Sequence, residues 1–235
     1  MKYILFVLGS GLLIGAVFIG LRFGKVVFLI LQTSPYTQQG NGKTLHVLGD
    51  STGYGTGVRD PKDSIAGRIG QDYPNLRITN DSVNGRTIGE LVPVVDALVG
   101  NYDVILLQIG GNDVLQSRPA DVVARELGLI FEKLQNHTDH IIMMSSGNVG
   151  GATAFTGGKA NEMTRQTLLL REVYMITSDA YKVTYVDLYV EPTEDLFVLE
   201  PKRYQATDGL HPSADGYGLW YEKLRPIVAA ALGGA

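Results

Sequence analysis

The 235-residue chain contains no cysteine. This excludes a disulfide framework, a thiolate metal site and a cysteine nucleophile. Basic residues are scarce, with 20 Lys and Arg against 24 Asp and Glu. Lys2, Arg22 and Lys25 fall in residues 1–31, which hold no acid, so the rest of the chain is more acidic than the formal charge of −4. An acidic body without a basic stripe is a poor match for a phosphate backbone, and no nucleic-acid partner is expected. The 4 histidines have no metal-ligand spacing. His46 lies in an apolar run and reads as a core residue, whereas His137 and His140 flank a polar loop. Neither a metal nor a cofactor is expected. No repeat of 20–50 residues is present.

One long hydrophobic run stands out. Tyr3 to Leu21 is nineteen residues without a charge, about 28 Å as a helix and enough to cross the hydrocarbon of a bilayer. After Arg22 and Lys25, Val26 to Leu31 is apolar again. Residues 1–31 read as an uncleaved N-terminal transmembrane helix, with a cleaved signal segment as the alternative. The expected localisation is membrane-anchored, with the domain outside the cytoplasm. Gly11-x-x-x-Gly15 and Gly20-x-x-x-Gly24 would allow two such helices to approach closely, but oligomeric state is not readable. Residues 32–43 are polar and read as a linker to a domain over residues 44–235.

From Thr44 short apolar runs alternate with amphipathic stretches. Strands are expected at Thr44–Leu48, Leu76–Asn80, Asp103–Ile109, Ile141–Ser145 and Val183–Leu188. Helices are expected at Ser64–Tyr73, from the capping box Thr87-x-x-Glu90, at Pro119–Gln135, at Ala160–Tyr181 and from Ser213 to Leu232. Pro93 should bend the second of these or shift its start. Five alternations argue for a parallel sheet covered on both faces.

Small residues interrupt the chain directly after two strands, at Gly49-Asp50-Ser51 and Gly110-Gly111-Asn112-Asp113. A third segment, Asp208-Gly209-Leu210-His211-Pro212, lies 160 residues beyond Ser51. A serine nucleophile needs a base, an orienter for that base and donors for a developing oxyanion. Ser51, His211, Asp208 and Asn112 are the residue types for those roles. Gly85 follows the second strand and would let a backbone N–H approach a ligand. Two irregular loops, Gly147–Gly158 and Tyr189–Thr207, follow strand ends and should border the same site.

Together these blocks resemble the SGNH (GDSL) hydrolase superfamily from about Thr44 to Ala231, most closely its lysophospholipase/arylesterase-like branch. The resemblance implies a three-layer α/β/α fold of the flavodoxin-like type with five parallel strands. It implies Ser51 as nucleophile, His211 as base and Asp208 as its orienter. The oxyanion hole would be the Ser51 and Gly85 N–H groups with the Asn112 side chain. Asp50 and Asp113 read as structural, bonding loop amides. The implied function is a serine esterase acting on a small-molecule ester or an acylated lipid or glycan. A carbohydrate O-deacetylase and a catalytically silent, membrane-tethered binding module are the alternatives. Gly49-x-Ser51-x-Gly53 also fits a nucleophile elbow, but Asp208 and His211 share one short segment and no oxyanion-loop motif precedes the serine. A dinucleotide fingerprint at Gly53-x-Gly55 fails at Val58 and Asp60.

Overall fold

The computed structural model describes residues 33–233. The anchor expected over residues 1–31 and its two glycine pairs lie outside the described residues. Among the described residues no helix is long and apolar enough to cross a membrane.

Five strands form the sheet: β1 (Thr44–Gly49), β2 (Arg77–Asn80), β3 (Val104–Gln108), β4 (Ile141–Met144) and β5 (Thr184–Val186). All pairings are parallel and the order is β2-β1-β3-β4-β5. This is the flavodoxin-like order, in which the chain reverses its direction of travel between β1 and β3. Ligands of such sheets lie at the carboxyl edge beside that reversal, and both glycine-rich blocks follow those two strands.

The long helices divide between the two faces. On one lie α3 (Ile88–Asp96), α5 (Ala120–Leu134) and α6 (Gly157–Ala180), packed on Ile105, Leu107 and Met143. On the other lie α2 (Ile65–Asp72) and α9 (Ala214–Ala231), packed on Val47, Leu106 and Met144. The stripe Val123, Leu127, Ile130, Phe131 and Leu134 of α5 is completely buried, and each such side chain contributes about 1.5–3 kcal/mol. The capping box of α3 is present, with Glu90 accepting from the Thr87 N–H at 2.8 Å. Pro93 is held inside α3 and the start does not shift.

The structure differs from the expected elements in local ways. Ser51 stands on a short helix, α1 (Ser51–Tyr54), and Asn112 on another, α4 (Gly111–Leu115). The loop after β5 contains α7 (Leu196–Leu199) and α8 (Pro201–Tyr204). Segments of four or five residues carry too few positions to show a period. Residues 33–43 are fixed along the edge of the sheet. Gln38 exchanges backbone hydrogen bonds with Ile78 at 3.0 and 2.9 Å, and its Nε2 donates to the Leu76 carbonyl at 2.7 Å.

Candidate active site

Ser51 is the first residue of α1. Asp50 caps this helix, its Oδ1 accepting from the Thr52 N–H and hydroxyl, both at 2.8 Å. An N-terminal helix position leaves the Ser51 N–H without an intrahelical acceptor, and none occurs among the described residues. His211 lies in the turn before α9, its Nε2 2.9 Å from Ser51 Oγ. Its Nδ1 lies 2.5 Å from Asp208 Oδ2. The aspartate is locked in turn: its Oδ1 accepts the Leu210 and His211 N–H groups at 2.9 and 3.1 Å. Burial opposes its charge, but His211 and these amides outweigh burial and hold the carboxyl below the usual range. An ionised Asp208 selects the imidazole tautomer with hydrogen on Nδ1, which leaves Nε2 to accept from Ser51.

Asn112 and Gly85 face the same cleft. Asn112 Nδ2 donates one hydrogen to the Arg86 carbonyl at 3.1 Å, and the amide retains a second. Gly85 has φ +83°, in the left-handed region, with open space where a Cβ would stand. Backbone conformation, not crowding, demands glycine there. Beneath them Asp113, fully buried, accepts from the Ile88 N–H at 3.0 Å and from Arg118 at 2.9 Å. The turn after β2 is thus joined to α4 through Asn112, and the start of α3 through Asp113. Asp50 is 1% exposed, and burial raises its pKa to about 6 despite the bonds from Thr52.

The cleft has a volume of about 660 Å³. Beyond Ser51 its walls are apolar, including Val149, Leu188, Val190, Phe197 and Leu219. Both irregular loops contribute, and one buried side chain ties them together. Gln205 Nε2 donates to the carbonyls of Gly151 at 3.0 Å and Phe197 at 2.8 Å, while Oε1 accepts from the Thr153 N–H and hydroxyl, both at 2.9 Å.

The model of the GDSL-like lipase/acylhydrolase family matches residues 47–219. The chain belongs to that family. Its class of activity is therefore carboxylic ester hydrolysis. Solved structures share the fold of this GDSL-family hydrolase at low sequence identity. TesA is 18% identical, with a TM-score of 0.64 over 80% of this chain and 99% of its own. The psychrotrophic esterase EstA from Pseudoalteromonas sp. is 18% identical, with a TM-score of 0.60 over 82% and 100%. Axe2, an acetylxylan esterase from Geobacillus stearothermophilus, is 19% identical, with a TM-score of 0.60 over 84% and 97%. No curated protein matches the sequence.

All five residues singled out in the sequence of this GDSL-family hydrolase, Ser51, Gly85, Asn112, Asp208 and His211, line one cleft or support a residue that does. His46 is 2% exposed, bonded to Asp81 at 2.7 Å, and lies in the sheet. Sequence reasoning did not find Arg86, Gln205, Leu219 or Trp220 as neighbours of the site. Trp220 packs in the core and also lines the cleft.

Proposed function

We propose that this enzyme cleaves esters through an acyl-enzyme on Ser51. His211 takes the Ser51 proton as Oγ attacks the carbonyl carbon, and the imidazolium donates through Nδ1 to Asp208. The negative oxygen of the tetrahedral intermediate accepts from the Ser51 and Gly85 N–H groups and from Asn112 Nδ2. Collapse transfers the proton from His211 Nε2 to the departing alkoxide and leaves the acyl group on Ser51. Water, deprotonated by His211, then attacks that ester and regenerates the serine.

The observation that carries this reading is the unbroken relay from Asp208 through His211 to Ser51, with distances of 2.5 and 2.9 Å. The apolar walls favour an acyl chain longer than acetyl, as in the lysophospholipase/arylesterase-like branch, over a carbohydrate O-deacetylase. We further propose that residues 1–31 anchor the enzyme in a membrane with its domain outside the cytoplasm. The supporting feature is the uncharged run from Tyr3 to Leu21.

The test is fluorophosphonate labelling followed by rates on p-nitrophenyl esters of increasing chain length, lysophospholipids and acetylated sugars. Labelling at Ser51 with a rate maximum at medium or long chains supports the proposal. A maximum on acetylated sugars would replace the substrate assignment, and no labelling of folded protein would leave a binding module.

A further inference from the structure

Two turns in the apolar wall of the cleft are capped by side chains that use only half of their polar atoms. Asn148, in the loop after β4, caps the single turn Val149–Gly151, its Oδ1 accepting from the Gly150 N–H at 3.0 Å. A cap must accept, so Oδ1 is fixed at the turn and Nδ2 is left to donate elsewhere. Nδ2 has no hydrogen-bond partner among the described residues. Asp195, in the loop after β5, caps α7, its Oδ1 accepting from the Phe197 N–H at 2.9 Å. Its Oδ2 likewise has no hydrogen-bond partner among the described residues. Asp195 is only 6% exposed, and both residues line the cleft.

The two unused atoms border one small space beside the Gly151 backbone. A Cβ on Gly151 would stand 3.8 Å from Asp195 Oδ2 and 3.9 Å from Asn148 Nδ2. Gln205 fixes this arrangement from behind. Its Nε2 donates to the carbonyl of Gly151, the last residue of the Asn148 turn, and to that of Phe197, whose N–H bonds Asp195. Burial raises the Asp195 pKa, opposed by the Phe197 N–H and by Lys223 at longer range. A plain hydrocarbon chain laid along Val149 and Phe197 would take water from this carboxyl oxygen and this amide and return no hydrogen bond. Covering such groups without a partner opposes binding.

Few chemical groups satisfy both atoms. A cation could pair with Asp195, but it would meet the Asn148 donor and, in the same lining, Lys223. An anion would meet Asp195 together with Glu194 and Glu222. A hydroxyl both donates and accepts, so it can give its hydrogen to Asp195 Oδ2 and take one from Asn148 Nδ2. We propose that Asn148 and Asp195 form a specificity site for a hydroxyl group carried on the acyl chain of the substrate. The proposal deepens, and rests on, the acyl-hydrolase reading of the cleft.

The test uses the full-length protein and ethyl esters of octanoic acid, either unsubstituted or with a hydroxyl at each chain carbon in turn. One hydroxylated isomer is expected to exceed the unsubstituted ester in kcat/KM by at least about tenfold. Asp195→Asn keeps an acceptor for the Phe197 N–H, and Asn148→Asp keeps one for the Gly150 N–H, so both caps survive, as thermal melts would confirm. The first variant turns the unlike pair into two donors and the second into two acceptors, and each should lose the preference. The double variant Asn148→Asp/Asp195→Asn exchanges donor and acceptor and should recover it, which a merely structural role would not produce. Equal rates on all the octanoyl esters, a preference that survives Asp195→Asn, or no recovery in the double variant would overturn the proposal. So would a maximum on an octanoyl ester carrying a carboxamide in place of the hydroxyl. If no ester is cleaved, the acyl-hydrolase reading fails, and calorimetry with free octanoic and hydroxyoctanoic acids still decides on the pair. Tighter binding of a hydroxylated acid, lost in Asp195→Asn, supports the site, and equal binding overturns it.

Discussion

Asn112 is held by Arg86: the side-chain amide of this cleft residue donates one hydrogen to the Arg86 carbonyl at 3.1 Å and keeps a second for another acceptor. A side chain held in this way needs no reorganisation as charge develops, the condition under which a single donor has its largest effect. Asn112→Ala should lower kcat by about 10²–10³-fold with KM little changed. Asn112→Asp should be at least as harmful, because a carboxylate repels the oxyanion. Steady-state kinetics with thermal melts on the same preparations check this. A folded Asn112→Ala protein with normal kcat would remove Asn112 from the mechanism.

The relay gives an order of severity. Ser51→Ala and His211→Ala should each lower kcat by at least about 10³-fold and act as a unit, the double variant being little worse than either. Asp208 is the hydrogen-bond partner of Nδ1 among the described residues. Asp208→Asn should therefore cost about 10³–10⁴-fold, since an amide can present its N–H to Nδ1 and select the wrong tautomer. Single-turnover kinetics on an activated ester measure all three, and a mild Asp208→Asn defect would point to another orienter.

Gln205 joins two loops that would otherwise meet solvent separately. Gln205→Leu has similar bulk but leaves the Gly151 and Phe197 carbonyls and the Thr153 donors without their partner. Each buried polar group left unpaired costs about 1–3 kcal/mol. Urea unfolding should show a loss of several kcal/mol, and activity on long-chain esters should fall more than on acetyl esters as the apolar walls separate. Equal losses on both substrates would confine Gln205 to stability.

Asp50 sets a pH dependence. Its folded pKa, about 6, lies above the ordinary value of 3.8. The folded state therefore binds its proton more tightly than the unfolded state. The associated stability is complete below about pH 4 and is lost as pH rises through about 6. The shift corresponds to about 3 kcal/mol. Asp50→Asn keeps an acceptor for Thr52 and removes the charge. Its stability relative to the unmodified enzyme should improve as pH rises from about 4 to about 6 and then level off, as denaturant midpoints at several pH values would reveal. A difference independent of pH would contradict the raised pKa.

The fold was legible where a period or a cap was long enough to read. The α5 stripe and the Thr87/Glu90 box are local patterns, and packing respected both. The glycine-rich blocks pointed to the candidate site because small residues ended the β1 and β3 runs. Other features depend on distant partners. The four Gln205 bonds reach residues 8 to 54 positions away. Trp220 shows the limit of periodicity, which indicates the inward direction but not which inward residues border a cleft. The polar composition of residues 32–43 suggested a linker, and it could not reveal that Gln38 finds backbone acceptors beside β2.

Ser51 follows the first strand, whereas His211 immediately precedes the last described helix. The proposed nucleophile and its proposed base therefore come from opposite ends of the folding unit and meet only when the sheet between them is complete. Until the segment carrying His211 has been made and folded, the proposed nucleophile stands without its proposed base. The topology thus makes the proposed chemistry a property of the finished fold and of no fragment that lacks either end.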